Sequence, residues 1–314
     1  MKKEKEFLEK IDDYINQGVF PGCQFALLEG QHVREFIRGN QEIVPEEKLL
    51  VSGKKWDLAS VSKVVGTGTA VINLVLSGKL DIDAPFTQYY PDFHDDTLTL
   101  RQLLTHTTGI NPFIKNRDEL DFFGLKAAID NIEVTADKSC HYTDINFILL
   151  GFMLEKVYDR PLDEILKAQV FEKWEMYDTS FGPVLNAVPT SQDVKVGSVH
   201  DPKAQVLGRH CGSAGLFAPM GDLVKFVQAY FADEKYLMLQ KNFAFGQRPR
   251  SLAWDFIQNQ WLLHTGYTGT FILMNLEMKK AVIFLSNRVH LTDNRAQWIV
   301  DRDVLIETLI QNLS

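Results

Sequence analysis

Ser60-Val61-Ser62-Lys63, placed directly before the apolar run from Val64 to Leu76, is the most informative part of this chain. On a helix, a serine and a lysine three residues later share one face, so the amine can take the proton of the hydroxyl. If the apolar run is a buried helix from about residue 60 to 77, Ser60 lies near its positive N-terminal end, which favours a developing anion. Burial of Lys63 then predicts that its pKa falls toward that of a base.

A second Ser-x-x-Lys sequence, Ser52-Gly53-Lys54-Lys55, shows that the motif alone is a weak signal. Ser52 lies in a polar, lysine-rich segment, whereas the fifteen residues from Val64 to Gly78, which follow the first motif, carry no charge. The context therefore assigns the nucleophile to Ser60 and not to Ser52.

Composition excludes several classes of partner. The chain has 314 residues, of which 45% are hydrophobic, and its 41 acidic and 33 basic residues leave a formal net charge of −8 without any basic block. These values are typical of a globular protein and argue against nucleic acid or an anionic membrane as a partner. We expect a small-molecule or peptide substrate, and the oligomeric state stays open.

Cysteine usage and the N-terminal segment predict a cytoplasmic protein. Cys23, Cys140 and Cys211 are odd in number and lack metal-type spacing, so we expect packing residues in a reducing compartment. The N-terminal segment has the pattern of an amphipathic helix ending at Gly18, without the apolar core of a signal peptide. No uncharged span reaches the roughly 20 residues that a membrane helix needs.

Strand patterns occur at both ends of the chain and helical patterns in its middle. Strands are predicted at 22–28, 33–37, 270–276 and 281–286, and helices at 98–104, 120–129, 145–157, 162–170 and 295–313. The sequence therefore predicts an α+β fold, in which an antiparallel sheet from both chain ends is flanked by helices and a mostly helical lobe is inserted. We place the sandwich lobe at residues 1–80 plus 175–314 and the helical lobe at 81–174, as parts of one continuous unit.

Two further tripeptides follow the Ser60 motif along the chain. Tyr142-Thr143-Asp144 lies just ahead of a predicted helix, and His264-Thr265-Gly266 lies just ahead of the C-terminal strand pair. With these motifs in this order, the chain resembles the penicillin-recognising serine hydrolases of the β-lactamase/transpeptidase-like fold. This group contains class C β-lactamases, DD-peptidases and esterases, and its signatures are Ser-x-x-Lys, Tyr-x-Asn and Lys- or His-Thr-Gly. The resemblance extends from about residue 20 to about residue 290.

The resemblance implies a role for each motif residue. Ser60 would attack a carbonyl carbon to form an acyl-enzyme, and Lys63 and the Tyr142 phenol would share the role of proton acceptor. A phenol serves as a base only if cationic neighbours stabilise its phenolate. The other residues implied for the site are the oxyanion-hole N–H groups of Ser60 and Tyr267 and the substrate-binding residues Asp144, His264, Thr265 and Gly266. No cofactor and no metal are expected.

Two residues depart from the β-lactamase pattern. Asp144 stands where the family often has asparagine, and it either pairs with Lys63 and holds it charged or caps the following helix. His264 replaces the lysine that lactamases usually show, which makes antibiotic hydrolysis a weak activity at most. We therefore expect a serine hydrolase, DD-carboxypeptidase-like or an esterase, that acts on a small ester, amide or D-amino-acid peptide. The alternatives are a carboxylesterase specifically and a non-catalytic homologue that binds penicillin or another ligand.

His106, Arg288 and Arg295 are the other conspicuous residues. We interpret His106 as a structural residue that holds a turn, and the two arginines as ion-pairing residues, with binding of a substrate carboxylate as the alternative for either. No Gly-x-Ser-x-Gly motif is present, which argues against a conventional α/β-hydrolase.

Overall fold

A seven-stranded antiparallel sheet brings the two ends of the chain together. The structure is a computed structural model that describes residues 2–246 and 248–313. Its strands are β1 (Gly22–Glu29), β2 (His32–Glu42), β3 (Lys48–Leu49), β4 (Lys55–Asp57), β5 (Ser180–Phe181), β6 (Leu216–Pro219), β7 (Asp255–Ile257), β8 (Trp261–Thr265), β9 (Phe271–Asn275) and β10 (Lys280–Ser286). The large sheet has the order β3-β2-β1-β10-β9-β8-β7, and a small sheet has the order β4-β6-β5. N-terminal β1 pairs with C-terminal β10, from Cys23 opposite Ser286 to Glu29 opposite Lys280.

Helices cover both faces of the large sheet. They are α1 (Lys2–Asn16), α2 (Thr69–Leu76), α3 (Leu100–Thr105), α4 (Phe122–Asp130), α5 (Ile145–Tyr158), α6 (Leu162–Leu166), α7 (Pro202–Leu207), α8 (Met220–Ala232) and α9 (Arg295–Leu313). Phe25 and Phe284 belong to the core beneath α1 and α9, whereas Leu28 and Ile283 belong to the core that includes α2, α5 and α8. Successive strand residues point to opposite faces, so one sheet supports both cores.

The predicted α+β fold, with a sheet built from both chain ends, is confirmed by this topology. The larger core contains Leu103 and Phe147 from the predicted helical lobe beside Leu28 and Ile283 from the sheet. The division into two lobes remains a prediction. Sequence patterns missed helices α7 and α8 and the strands from β3 to β8. Most of these strands are very short. Strand β8 is buried along nearly its whole length and shows no apolar–polar alternation.

The segment after Ser60 is helical as predicted, but it is not one regular helix. A 3₁₀ turn (Ala59–Val61) leads into a π-helical stretch (Lys63–Gly68), and α2 completes the segment. The Thr69 hydroxyl donates to the Val64 carbonyl oxygen at 2.6 Å, at the end of the π-helical stretch. Such wide turns are frequent at functional sites.

One part of this segment has the composition of a membrane helix. Residues 59–76 have a mean hydropathy of 1.4 and are long enough to cross a bilayer, although the sequence did not predict this. Since 78% of the stretch is buried inside the protein, as in a core helix, it is weak evidence for a membrane span.

Candidate active site

Ser60 lies on a strained turn that follows β4. Ala59, the residue before it, has φ +45°, in the left-handed region that residues other than glycine rarely adopt. The buried Asp57 carboxylate holds this turn, since it accepts the Ala59 N–H and the His200 N–H, both at 2.8 Å. Burial raises the pKa of Asp57 to about 6, although the two N–H donors act to lower it. The surrounding hydrogen bonds thus maintain a backbone conformation that costs about 1–3 kcal/mol.

The Lys63 side chain is fully buried and contacts Ser60. Its Nζ atom lies 2.8 Å from Ser60 Oγ, 2.8 Å from Asp144 Oδ1 and 3.0 Å from the Ser213 carbonyl oxygen. An ammonium carries three N–H donors, and these three oxygens accept all of them. The structure therefore brings the serine and the lysine together as the motif predicts.

The predicted fall in the pKa of Lys63 is wrong. Burial lowers this pKa, but the charge of Asp144 and the interactions with Tyr142 raise it by more, so it lies above the ordinary lysine value. Desolvation acts as expected, but the sequence did not reveal whether Asp144 would supply an opposing charge. Lys63 is consequently a cation in this site.

Asp144 is an ion-pairing residue and not a helix cap. Its side chain makes no capping hydrogen bond to α5. Its two oxygens instead bind two lysines, since Oδ1 contacts Lys63 and Oδ2 lies 3.0 Å from Lys203 Nζ. Burial raises the pKa of Asp144, whereas the charges of Lys63 and Lys203 lower it to well below its usual range. Of the two alternatives that the sequence left open, the structure supports the pair with Lys63.

The Tyr142 ring lies close to Lys63 and to two histidines. Its centroid is 5.2 Å from Lys63 Nζ, 4.5 Å from the ring centroid of His106 and 6.2 Å from that of His264. His106 is buried and left-handed at the C-terminus of α3, and its Nδ1 accepts the Thr143 N–H at 3.4 Å. His106 therefore holds the segment that carries Tyr142, which agrees with the structural role predicted for it.

His264, Thr265 and Gly266 end β8 and begin the turn to β9. His264 is buried, and this burial, followed by the cations Lys63 and Arg250, lowers its pKa well below the ordinary histidine value. The imidazole of His264 is therefore neutral, and the tripeptide adds no positive charge to the site.

The turn after β8 is tied to the turn that carries Ser60. The hydroxyl groups of Thr268 and Thr270 donate to the main-chain carbonyl oxygens of residues 57 and 58, each at 3.0 Å. The main chain at Tyr267 is thereby tethered next to the nucleophile turn, as an oxyanion hole made of the N–H groups of Ser60 and Tyr267 requires.

The Tyr267 side chain lies in a cluster of charged and aromatic groups. Its ring stacks on His200 at 5.6 Å, the Arg288 guanidinium lies 4.8 Å from the ring centroid, and the Tyr267 hydroxyl donates to Asp293. Arg288 also pairs with Asp293 at 2.5 Å. Arg288 is thus an ion-pairing residue, whereas Arg295 is exposed with its guanidinium 5.7 Å from the Tyr267 ring.

Sequence patterns did not find Asp57, Lys203 or the Ser213 carbonyl group as parts of the site. The aspartate at position 144 was the only available signal, because a carboxylate beside a buried lysine often has a further partner. Ser52 lies on an exposed turn ahead of β4, in contrast to the half-buried Ser60. Among the residues that the structure describes, no three His, Cys, Asp or Glu side chains form a group that could hold a metal ion.

The chain belongs to the Beta-lactamase family, whose sequence model matches residues 7–306. A putative D-alanyl-D-alanine carboxypeptidase of Salmonella agona (strain SL483) is 24% identical, over 91% of this chain and 84% of that protein. An N-acetylmuramyl-L-alanine amidase of Bacillus subtilis (strain 168) is also 24% identical, over 90% of this chain and 81% of that protein.

Two solved structures share the fold. A class C β-lactamase superposes with a TM-score of 0.79 at 16% sequence identity and covers 100% of this chain and 97% of its own. A β-lactamase/D-alanine carboxypeptidase from Pseudomonas syringae gives a TM-score of 0.79 at 15% identity, over 99% of both chains. The predicted family and β-lactamase/transpeptidase-like fold are confirmed, and the similarity to proteins named as hydrolases supports the predicted serine hydrolase. The roles of individual residues remain predictions.

Proposed function

We propose that the protein hydrolyses a small ester, amide or D-amino-acid peptide through an acyl-enzyme on Ser60. The observation that carries this proposal is the 2.8 Å contact between Ser60 Oγ and the Nζ atom of the fully buried Lys63. A serine held against a buried cation, on a strained turn tied to a neighbouring main-chain segment, has the parts that acyl transfer needs.

The proposed reaction begins with attack of Ser60 Oγ on the carbonyl carbon. We assign the hydroxyl proton to the Tyr142 oxygen, whose ring centroid lies 5.2 Å from Lys63 Nζ, because Lys63 is already a cation and cannot accept it. The N–H groups of Ser60 and Tyr267 stabilise the oxyanion, and loss of one such donor costs on the order of 10²–10³ in rate. Tyr142 returns the proton to the leaving group. Water then attacks the acyl ester while Tyr142 accepts one of its protons, and Tyr142 passes that proton to Ser60 Oγ as the bond from the acyl carbon to Ser60 breaks.

The names of the relatives support the substrate class. A carboxypeptidase and an amidase both cleave amide bonds, so an amide or a D-amino-acid peptide is the first substrate to test. A carboxylesterase would use the same acyl-enzyme and differ in the leaving group. Turnover of p-nitrophenyl acetate but not of a D-Ala-D-Ala peptide would favour the esterase.

A second candidate function is ligand binding without turnover. It is favoured by Lys63, whose three N–H donors are all engaged and which therefore has no lone pair to accept a proton. Binding of penicillin without formation of a covalent adduct would favour this candidate over the hydrolase.

Intact-mass spectrometry after incubation with a fluorophosphonate tests the proposal. Wild-type protein should gain one adduct, Ser60→Ala should gain none, and the matched control Ser52→Ala should react like the wild type. An adduct on Ser60→Ala, or none on the wild type under conditions that label a known relative, would contradict the Ser60 acyl-enzyme.

We also propose a cytoplasmic location for the protein. The free thiols of Cys23, Cys140 and Cys211 support it, since a reducing compartment keeps such thiols unpaired. Fractionation of cells that express the chain, followed by immunoblotting, tests this proposal.

A further inference from the structure

Lys203 is a largely buried lysine at the active site, and the proposed mechanism does not use it. It lies in the first turn of α7, and only 14% of its side chain is exposed. Its Nζ atom lies 3.0 Å from Asp144 Oδ2 and 3.9 Å from Asp201 Oδ2. Lysines are seldom buried to this extent unless they are paired, so the position of Lys203 depends on Asp144.

Lys63, Asp144 and Lys203 form a charged triad beside the nucleophile. The Asp144 carboxylate bridges the two lysines, with Oδ1 at 2.8 Å from Lys63 and Oδ2 at 3.0 Å from Lys203. Within this triad two cations share one anion, and Asp201 adds a second, more distant carboxylate on the Lys203 side. His264 is neutral and contributes no charge.

Two further charged groups face the triad. Asp201 raises the pKa of Lys203 and Arg117 lowers it, so their effects oppose each other. Tyr142 faces Lys63 across 5.2 Å, and it is the group assigned as the proton acceptor. Both aspartates therefore offset part of the charge of Lys203, and Asp144 is its nearer partner.

We propose that Lys203 is a positioning residue for the reaction of Ser60: by binding the second oxygen of Asp144 it fixes this carboxylate against Lys63, and it adds a positive charge near the nucleophile. This inference rests on the proposed acyl-enzyme. Without Lys203, the charges of Asp144 and Lys63 cancel, and the oxyanion that forms during attack loses one favourable charge. The Asp144 carboxylate also loses the donor on its second oxygen and with it the contact that fixes its orientation.

Variants that remove or keep the charge of Lys203 test this inference. The variants are Lys203→Met, which removes the positive charge, and Lys203→Arg, which keeps it. The matched control is Lys48→Met. Lys48 lies on the edge strand β3, and this substitution breaks its ion pair with Glu42. The measurement is the rate of fluorophosphonate acylation between about pH 5 and about pH 10, with the folded fraction checked by circular dichroism.

Lys203→Met should acylate about 10–100-fold more slowly than the wild type, because the oxyanion loses a nearby positive charge and Asp144 loses the donor on its second oxygen. Lys203→Arg should keep most of the rate, because it retains the charge and can still donate to Asp144. Lys48→Met should behave like the wild type.

Three outcomes would overturn the inference. They are an unchanged rate in Lys203→Met across the pH range, a loss that only follows the folded fraction, and a Lys203→Arg variant no faster than Lys203→Met. If the wild type itself is not acylated, the proposed function fails and this inference fails with it. A labelled wild type with an unaffected Lys203→Met refutes the role of Lys203 alone.

Discussion

Oδ1 of Asp144 lies 2.8 Å from Nζ of Lys63, and this ion pair decides the charge state of the site. A lysine buried alone would lose its proton, because desolvation penalises the cation. With the carboxylate in contact, Lys63 stays charged and donates to Ser60 instead of accepting from it.

Replacing Lys63 with methionine should abolish acylation but leave the protein folded. We expect the fluorophosphonate rate to fall by about 10²–10⁴-fold, since Ser60 loses the 2.8 Å contact with a cation. A buried charge left without its partner costs about 3–5 kcal/mol. The free energy of unfolding should fall by less than this, because Lys203 still pairs with Asp144. Labelling kinetics and urea denaturation measure the two effects. Lys55→Met, in the second Ser-x-x-Lys sequence, is the control, and a wild-type rate in Lys63→Met would contradict the assignment.

Asp57 should make stability fall as the pH rises from about 4 to about 6. Its pKa is about 6 in the folded chain, against an ordinary value of 3.8, so the folded state binds a proton that the unfolded state has released. A rise of roughly two units corresponds to about 3 kcal/mol, present at low pH and lost as the pH passes about 6. In Asp57→Asn this dependence should disappear, so the destabilisation caused by the substitution should be larger at acidic than at neutral pH.

Urea denaturation of Asp57→Asn and the wild type across this pH range checks the Asp57 prediction. Asp83→Asn is the control, since the exposed Asp83 pairs with Arg101 and its pKa is lowered, which gives the opposite sign. A difference between wild type and Asp57→Asn that does not change with pH would refute the titration of Asp57.

The left-handed backbone of Ala59 predicts opposite effects for two substitutions. Ala59→Gly should be neutral or stabilise the protein by up to about 1 kcal/mol, because glycine adopts φ +45° without strain. Ala59→Val should destabilise it by about 2 kcal/mol or more and slow acylation, because a β-branched side chain resists this conformation. Denaturation midpoints and labelling rates compare the pair, and equal stability of the two variants would count against a strained nucleophile turn.

Gly266 should not tolerate a side chain. A Cβ atom there would lie 2.7 Å from the Leu58 carbonyl oxygen and would also press on the Thr270 hydroxyl. Gly266→Ala should therefore push the turn after β8 away from Ser60. The acylation rate should fall by about 10²-fold or more, which is the effect of losing one oxyanion-hole donor. Gly221→Ala, at a position with open space around it, should leave the rate unchanged. Full activity in Gly266→Ala would show that the two turns need not be in contact.

Local patterns predicted much of the architecture. The apolar runs in β1 and β10 and the apolar run after Ser60 depend only on neighbouring residues, and they placed the central strands and the nucleophile helix. Strands such as β4 and β8 escaped prediction because they are short, and only their partners in the sheet define them.

In the active site too, some features follow from the local sequence and others only from the tertiary structure. The i, i+3 spacing of Ser60 and Lys63 follows from helical geometry, so the chain order alone was enough to pair them. Tertiary structure alone decided the charge of Lys63, because that charge depends on Asp144 and Lys203, which lie far along the chain. Electrostatic energy depends on distance in space and on burial, and neither can be obtained from separation along the sequence.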